Sequence, residues 1–263
     1  MLRRWGIVVA MLALVFGTAL SASSASAAVV PAGFVPGGPI HLVGTTASAS
    51  QAGGIRHEAE STNWSGYAGT TGTYTSVSAS WTEPTGTCKS GDQYSAFWVG
   101  LDGYSSSTVE QTGSEVDCAG RTAEYYAWYE AYPAGSEDYS NTVKPGDHFN
   151  ASVTYEGSNK FALYIDDTTQ NWSHDTTVTV SGAARSSAEV IIEAPCCTES
   201  GGILNLADFG TVNITSSEAN GAAIGNAGGL TEIVMIDSEG RDRDSVSSLS
   251  GGENFSATWI RDN

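Results

Sequence analysis

The 263-residue chain predicts an all-β protein. From about residue 60 onward it is a succession of short runs that alternate apolar and polar residues, bounded by Gly, Ser, Asn, Asp and Pro, which is the pattern of strands separated by turns. No segment of a dozen residues carries a helical stripe, so nothing competes with strands for the core. About 200 residues of this texture suffice to bury one sizeable core. The architecture these observations predict is an antiparallel β-sandwich of jelly-roll, concanavalin A-like type, with a curved face able to hold an extended polymer.

The elements follow in chain order. Arg3 and Arg4 precede an apolar run from Trp5 to Leu20, and the small residues Ala25-Ser26-Ala27 close it. That is the form of a secretory signal, residues 1–27, and its apolar part is too short to span a bilayer comfortably. Residues 28–57 hold three prolines and six glycines, no acid and no sustained periodicity. They are expected to be a pro-segment or linker, and Arg56, His41 and His57 suit them to lie across an acidic domain before removal. The domain proper is expected over 58–263, with strands in YTSVSASWTEP (74–84), SAFWVGLDG (95–103), TVEQTGSEV (108–116), EYYAWYEAYP (124–133), HFNASVTYEG (148–157), FALYIDD (161–167), TTVTVSG (176–182), SAEVIIEAP (187–195), TEIVMID (231–237) and NFSATWI (254–260).

Strand alternation assigns faces. In TVEQTGSEV, Val109, Gln111 and Gly113 share one side, and Thr108, Glu110 and Thr112 the other. In EYYAWYEAYP, Tyr126, Trp128, Glu130 and Tyr132 oppose Tyr125, Ala127, Tyr129 and Ala131. In SAEVIIEAP, Glu189, Ile191 and Glu193 oppose Val190 and Ile192, and two glutamates so spaced ordinarily mark a solvated outer face. Aromatic residues around a carboxylate instead suit a cleft that grips a chain and perturbs a titrating group.

Charge excludes some partners. The chain has 11 Lys and Arg against 29 Asp and Glu. Arg3, Arg4 and Arg56 precede the first acid, Glu58, so eight cations face 29 acids beyond it, a balance of −21. Such a surface repels nucleic acid and anionic membranes, so neither is an expected partner once the signal is gone. Few permanent cations also means little self-repulsion once carboxylates are protonated, which favours a fold that survives acid.

Four cysteines, Cys88, Cys118, Cys196 and Cys197, allow three pairings in an oxidising compartment, of which Cys88 with Cys118 is preferred. CxxC spacing is absent, so no metal site is expected. Serine and cysteine nucleophiles lack the histidine partner or free thiol they need, and no aspartic-protease DTG pair is present. DSEGRDRDS (237–245) lacks the ligand spacing of a calcium loop and is expected to be a solvated turn.

The blocks NWSGY (63–67), FWVGLDG (97–103), EQTGSEV (110–116), YAWYEAYP (126–133) and AEVIIE (188–193) together resemble the secreted glutamic peptidases, or eqolisins. The resemblance implies an acid-acting endopeptidase of polypeptides, secreted, working as a monomer and needing no cofactor. It makes Gln111 and Glu193 the catalytic dyad. By the same resemblance Trp98 and Asp102 support the dyad or line the cleft, Trp64 stands in the NW element, and Trp128, Glu130 and Tyr132 form a substrate-contacting wall. Glu115 stands where fungal members tend to have aspartate. A neutral amide at Gln111 can stabilise an oxyanion without titrating, and a glutamate of ordinary pKa, about 4.3, can act as base in mild acid without a large shift. The rival reading is a carbohydrate-active or carbohydrate-binding lectin-like sandwich, whose aromatic and carboxylate faces look similar.

Overall fold

The structure, a computed structural model, describes residues 38–51, 54–195 and 202–263. The expected signal, the start of the expected pro-segment and the Cys196–Cys197 pair lie outside the described residues. Seventeen strands are described. In chain order they are β1 (Leu42–Gln51), β2 (Gly54–Ser61), β3 (Trp64–Gly69), β4 (Ser76–Thr82), β5 (Gln93–Leu101), β6 (Val109–Ala119), β7 (Thr122–Tyr132), β8 (Glu137–Asp138) and β9 (His148–Gly157). There follow β10 (Lys160–Asp167), β11 (Trp172–Thr179), β12 (Ala188–Glu193), β13 (Thr211–Ala219), β14 (Ala222–Ala223), β15 (Thr231–Met235), β16 (Asp244–Val246) and β17 (Phe255–Trp259). A single short 3-10 turn, Ile224–Asn226, is the one helical element among the described residues.

These strands form two sheets. The first runs β1-β2-β15-β3-β12-β5-β6-β7-β8 and the second β11-β10-β9-β4-β13-β17-β16. Pairing is antiparallel except between β2 and β15, which run parallel. The long central strands of both sheets turn apolar residues into the space between them. Phe97, Val99 and Leu101 of β5, with Val190 and Ile192 of β12, meet Val77, Phe149, Val153, Leu163 and Ile165 of the second sheet in one continuous core. Burying each such side chain contributes about 1.5–3 kcal/mol.

The first sheet carries a second, smaller cluster on its opposite face: Trp64, Ala96, Trp98, Val109, Trp128, Ile191 and Ile233. This double coverage explains why β3, β5 and β12 are buried along almost their whole length. It also removes the solvated-face reading of AEVIIE, since Glu189 and Glu193 are both fully buried.

Several elements depart from the alternation-based expectation. β3 has both faces covered, so no period-two pattern marks it. β13 breaks its own alternation where Ser216 takes a positive φ of 53° and the register with β4 shifts between Thr215 and Glu218. Residues 42–51 and 54–61, in and beside the stretch expected to be linker, pair as β1 and β2 on the first sheet. In DSEGRDRDS the turn is real: Asp237 accepts backbone N–H from Glu239 and Arg241 and the Nε–H of Arg241. Its end is not solvated, because Arg243 and Asp244 are buried, with Arg243 donating to the carbonyls of Thr62 and Leu204 and Asp244 accepting from the Ser65 hydroxyl.

Cys88 and Cys118 form a disulfide that ties the loop before β5 to the end of β6 across 30 residues. Within β6, Gly113 sits where a Cβ would lie 2.2 Å from the Phe97 carbonyl oxygen and 2.6 Å from Trp98 Cβ. Both contacts belong to the neighbouring strand, so relief requires moving backbone. Gly113→Ala is therefore expected to cost roughly 2–3 kcal/mol and lower the melting temperature by about 5–10 °C; an unchanged melting temperature in calorimetry would contradict the close approach.

Candidate active site

The strand register builds the candidate site on the outer face of the first sheet. Residues directly opposite on antiparallel neighbours share a face. Gln111 stands opposite Gly100 on β5 and Glu130 on β7. Two residues along, Gly113 lies between Trp98 and Trp128; two further, Glu115 lies between Ala96 and Tyr126. Across β5, Glu193 of β12 is opposite Ala96, and on its other side opposite Trp64 of β3. By this register Gln111, Glu193, Trp64, Trp98, Glu115, Trp128, Glu130 and Tyr132 share one face.

Gln111 and Glu193 are not in line. Their facing positions on β5, Gly100 and Ala96, are four residues apart, about 13 Å at 3.3 Å per residue. Trp98 spans that offset. Its Nε1 donates to Glu193 Oε2 at 2.9 Å. The far edge of the indole lies over Gly100, where an added Cβ would meet Trp98 Cζ3 at 2.8 Å and Gln111 Cβ at 3.2 Å. The absence of a side chain at position 100 is what lets the indole lie there. Trp64 packs edge-on against Trp98 with ring centroids 4.9 Å apart, completing the wall beside Glu193.

Each polar head has its own support. Gln111 Nε2 donates to Glu130 Oε2 at 2.7 Å, so Glu130, expected in the substrate-contacting wall, grips the glutamine instead. Glu193 Oε1 accepts from Asn63 Nδ2 at 3.3 Å. Sequence reasoning missed Asn63, although it opens the NWSGY block and precedes Trp64. The Ser61 hydroxyl sets it in place by accepting the backbone N–H of Asn63 and Trp64 and donating to Asn63 Oδ1 at 2.9 Å.

Asp102 is placed elsewhere. Its carboxylate accepts the backbone N–H of Arg185 at 2.7 Å and Ser186 at 2.9 Å, and its own backbone has a φ of 72°. It fastens the approach to β12 and so acts on the site through that strand. Tyr132 packs against the outer cluster beside the candidate cleft and precedes a cis Tyr132–Pro133 bond.

Electrostatics follow from burial in a carboxylate-rich face. Burial pushes the Glu193 carboxyl well above the usual range; the donors Trp98 and Asn63 oppose that shift and Glu115 adds to it. The expectation of a glutamate without a large shift does not hold for this buried state. Glu130 is raised by burial, then by the charge of Glu193, with the bond from Gln111 opposing. Glu115 is raised by burial and by Asp117. Trp128 Nε1 and Glu130 Oε1 are buried on this face with no hydrogen-bond partner among the described residues.

The segment Gly38–His41 lies over this face. Gly38 is buried near Tyr132 Cε2, Ile40 packs against the outer cluster, and Ile40 N–H donates to the Gly103 carbonyl at 3.2 Å. On its other side, Asn63 Nδ2 donates to the Pro39 carbonyl at 3.3 Å and Asn63 Oδ1 accepts the His41 N–H at 2.7 Å.

Fold and face together define a β-sandwich with a carboxamide and a carboxyl set among tryptophans on one sheet. The chain belongs to the Peptidase A4 family, whose sequence model matches residues 62–259. It is 27% identical over 247 residues to aspergillopepsin-2 of Aspergillus niger, covering 84% of this chain and 86% of that protein. Its fold is similar to scytalido-glutamic peptidase bound to a transition-state analogue (TM-score 0.67, 23% identity, 76% of this chain and 98% of the other). It is also similar to SCP-B, an eqolisin in complex with the tripeptide Ala-Ile-His (TM-score 0.62, 21% identity, 76% and 98%), and to aspergilloglutamic peptidase of Aspergillus niger (TM-score 0.55, 25% identity, 64% and 99%). The protein is a glutamic endopeptidase, with polypeptides as its substrates.

Proposed function

We propose that the chain is exported and cleaves polypeptides in acid solution, with Glu193 as general base and then general acid and Gln111 as oxyanion donor. The observation that carries this is the common face: Glu193, held by Trp98 and Asn63, and Gln111, held by Glu130, are buried on the same side of one sheet, joined through the Trp98 indole. Ionised Glu193 takes a proton from a water that attacks the scissile carbonyl, and returns it to the leaving amine. The neutral Gln111 carboxamide donates to the oxygen on which charge develops, and it does not titrate in acid.

Glu193 serves as base only when ionised. Burial beneath the Gly38–His41 segment opposes that, and exchange of the segment for water and substrate relieves the burial while the Trp98 and Asn63 donors remain. Residues 28–57 are accordingly assigned as a removable pro-segment. Support comes from the likeness to SCP-B, which binds Ala-Ile-His, whose last two residues match Ile40-His41. Export is supported by the signal-like residues 1–27 and the Cys88–Cys118 disulfide. Among the described residues no helix is long and apolar enough to cross a membrane.

The test is digestion of casein and of soluble glucan by the secreted protein over a range of pH, with its N-terminus sequenced. Casein cleavage best in acid is expected, reduced about 10²–10³-fold in Gln111→Ala, the usual loss for one oxyanion donor. Cleavage best above neutrality, or of glucan alone, would overturn the proposal; an active form beginning at Ala28 would remove the pro-segment.

A further inference from the structure

The Asn63 side chain is surrounded in an informative way. A carboxamide offers two N–H donors and two acceptor lone pairs. In Asn63 all four are engaged: Oδ1 accepts from the Ser61 hydroxyl and the His41 N–H, and Nδ2 donates to Glu193 and to the Pro39 carbonyl. Two of these bonds, to Ser61 and Glu193, lie within the family-matched region or at its edge. The other two reach the backbone of a preceding segment, at the carbonyl of one residue and the N–H two residues on.

Those two groups point to the same side of an extended chain, because backbone groups alternate sides along a strand. One residue donating to position n and accepting from n+2 is the pattern by which main chains recognise main chains in strand addition. Here a side chain supplies it. The opposite edge is held too, by Ile40 N–H on the Gly103 carbonyl, and the His41 carbonyl accepts the Thr62 N–H at 3.0 Å. The Ile40 side chain between the two gripped residues packs on the outer cluster with Tyr104 and Tyr132.

We propose that Asn63 is a substrate-binding residue: in the place held by Pro39–His41 it pairs with the main chain of an extended polypeptide, with an aliphatic side chain seated where Ile40 lies. This rests on the peptidase reading and adds to it the residue that reads the substrate backbone. Because the same carboxamide donates to Glu193, binding a peptide there also fixes the orientation of the proposed base. A buried Asn63 left without the two backbone groups would lose one donor and one acceptor bond, which a peptide restores regardless of its side chains.

The experiment is an ester-for-amide scan. A decapeptide that the acid-activated protein cleaves is made in versions that replace one amide by an ester at each position away from the scissile bond, which deletes one N–H at a time. In wild type, one position is expected to lower kcat/KM about tenfold, the effect of one hydrogen bond. In Asn63→Ala that loss shrinks to less than twofold, although the amide peptide is itself cleaved more slowly. The acid limb of the pH–rate profile also moves to higher pH in this variant, because a donor to Glu193 is gone; a packing role alone would not move it. If Asn63→Ala fails to fold by circular dichroism, Asn63→Ser takes its place.

Equal ester penalties in wild type and variant, or no position-specific penalty in wild type, would overturn the assignment while leaving the peptidase reading intact. Absence of cleavage of casein and of every amide peptide by wild type is the separate outcome that removes the peptidase reading itself.

Discussion

Glu193→Gln is expected to lower kcat/KM for peptide hydrolysis by about 10²–10⁴-fold without unfolding the protein. The range is that of a general base removed from its reaction. Fold is preserved because the amide oxygen can keep the 2.9 Å bond from Trp98 Nε1, while the amide nitrogen replaces the oxygen that accepts from Asn63 Nδ2, so one of the two bonds that hold Glu193 is lost, at a cost of about 1–3 kcal/mol. Glu189 supplies the control. It lies on the same strand and face, is as deeply buried, and burial followed by the charges of Asp102 and Glu110 holds its carboxyl well above the usual range. It is therefore a neutral acid in mildly acidic solution, and Glu189→Gln exchanges one neutral group for another of the same shape. Its kcat/KM is expected to stay within about fivefold of wild type, since no step of the proposed reaction passes through it. A Glu193→Gln variant within tenfold of wild type, or a Glu189→Gln variant as inactive as Glu193→Gln is expected to be, would assign the base wrongly.

The second large effect is on stability. Burial is the leading cause that raises Glu83, Glu110 and Asp117 to about 8 and Asp244 to about 7. Glu115, Glu130, Glu189 and Glu193 are displaced in the same direction. In the unfolded chain such groups ionise near 4, so between roughly pH 4 and 8 the native state holds protons that the unfolded state has released. The sign follows from linkage: stability is fully present below the unfolded values and is lost as pH rises through the folded ones. One pK unit corresponds to about 1.4 kcal/mol. A carboxyl carried from 4.5 to about 8 is thus a matter of several kcal/mol, and a few of them rival a whole domain's stability of roughly 5–15 kcal/mol. The melting temperature is expected to fall by about 20 °C or more between pH 4 and pH 7. A curve that is flat or rises over that interval in calorimetry would show that these carboxyls are ionised and solvated in the native state.

The same side chains show what the sequence made legible. Period-two alternation grouped Trp128 with Glu130, and set Gln111 and Glu193 each on one side of its own strand, because a strand leaves a side chain only two directions; that these sides are one covered face depends on the pairing of β12, β5, β6 and β7. The low cation content pointed toward tolerance of acid, though the larger contribution, carboxyls buried as neutral acids, required knowing that AEVIIE is covered on both faces. Asn63 stayed hidden for a different reason. Its partners are Ser61 two residues away, Glu193 far along the chain, and the main chain of residues 39 and 41, and backbone partners leave no trace in side-chain pattern. β13 escaped because a positive φ at Ser216 resets its alternation halfway. Glu130 was placed correctly on its face, but its bond to Gln111 depends on which of several polar residues the register of β6 and β7 sets opposite one another.

Gly113 has a wider implication. A strand that slid by one position would present Glu110 or Thr112 where the carboxamide now stands, and every head group of the face would turn inward. Against the carbonyl of Phe97 only a residue without a side chain can sit, so that slot admits a single phase of β6. An inserted or deleted residue in this strand is therefore caught sterically before it can assemble a sheet of the right shape with the wrong chemistry on it.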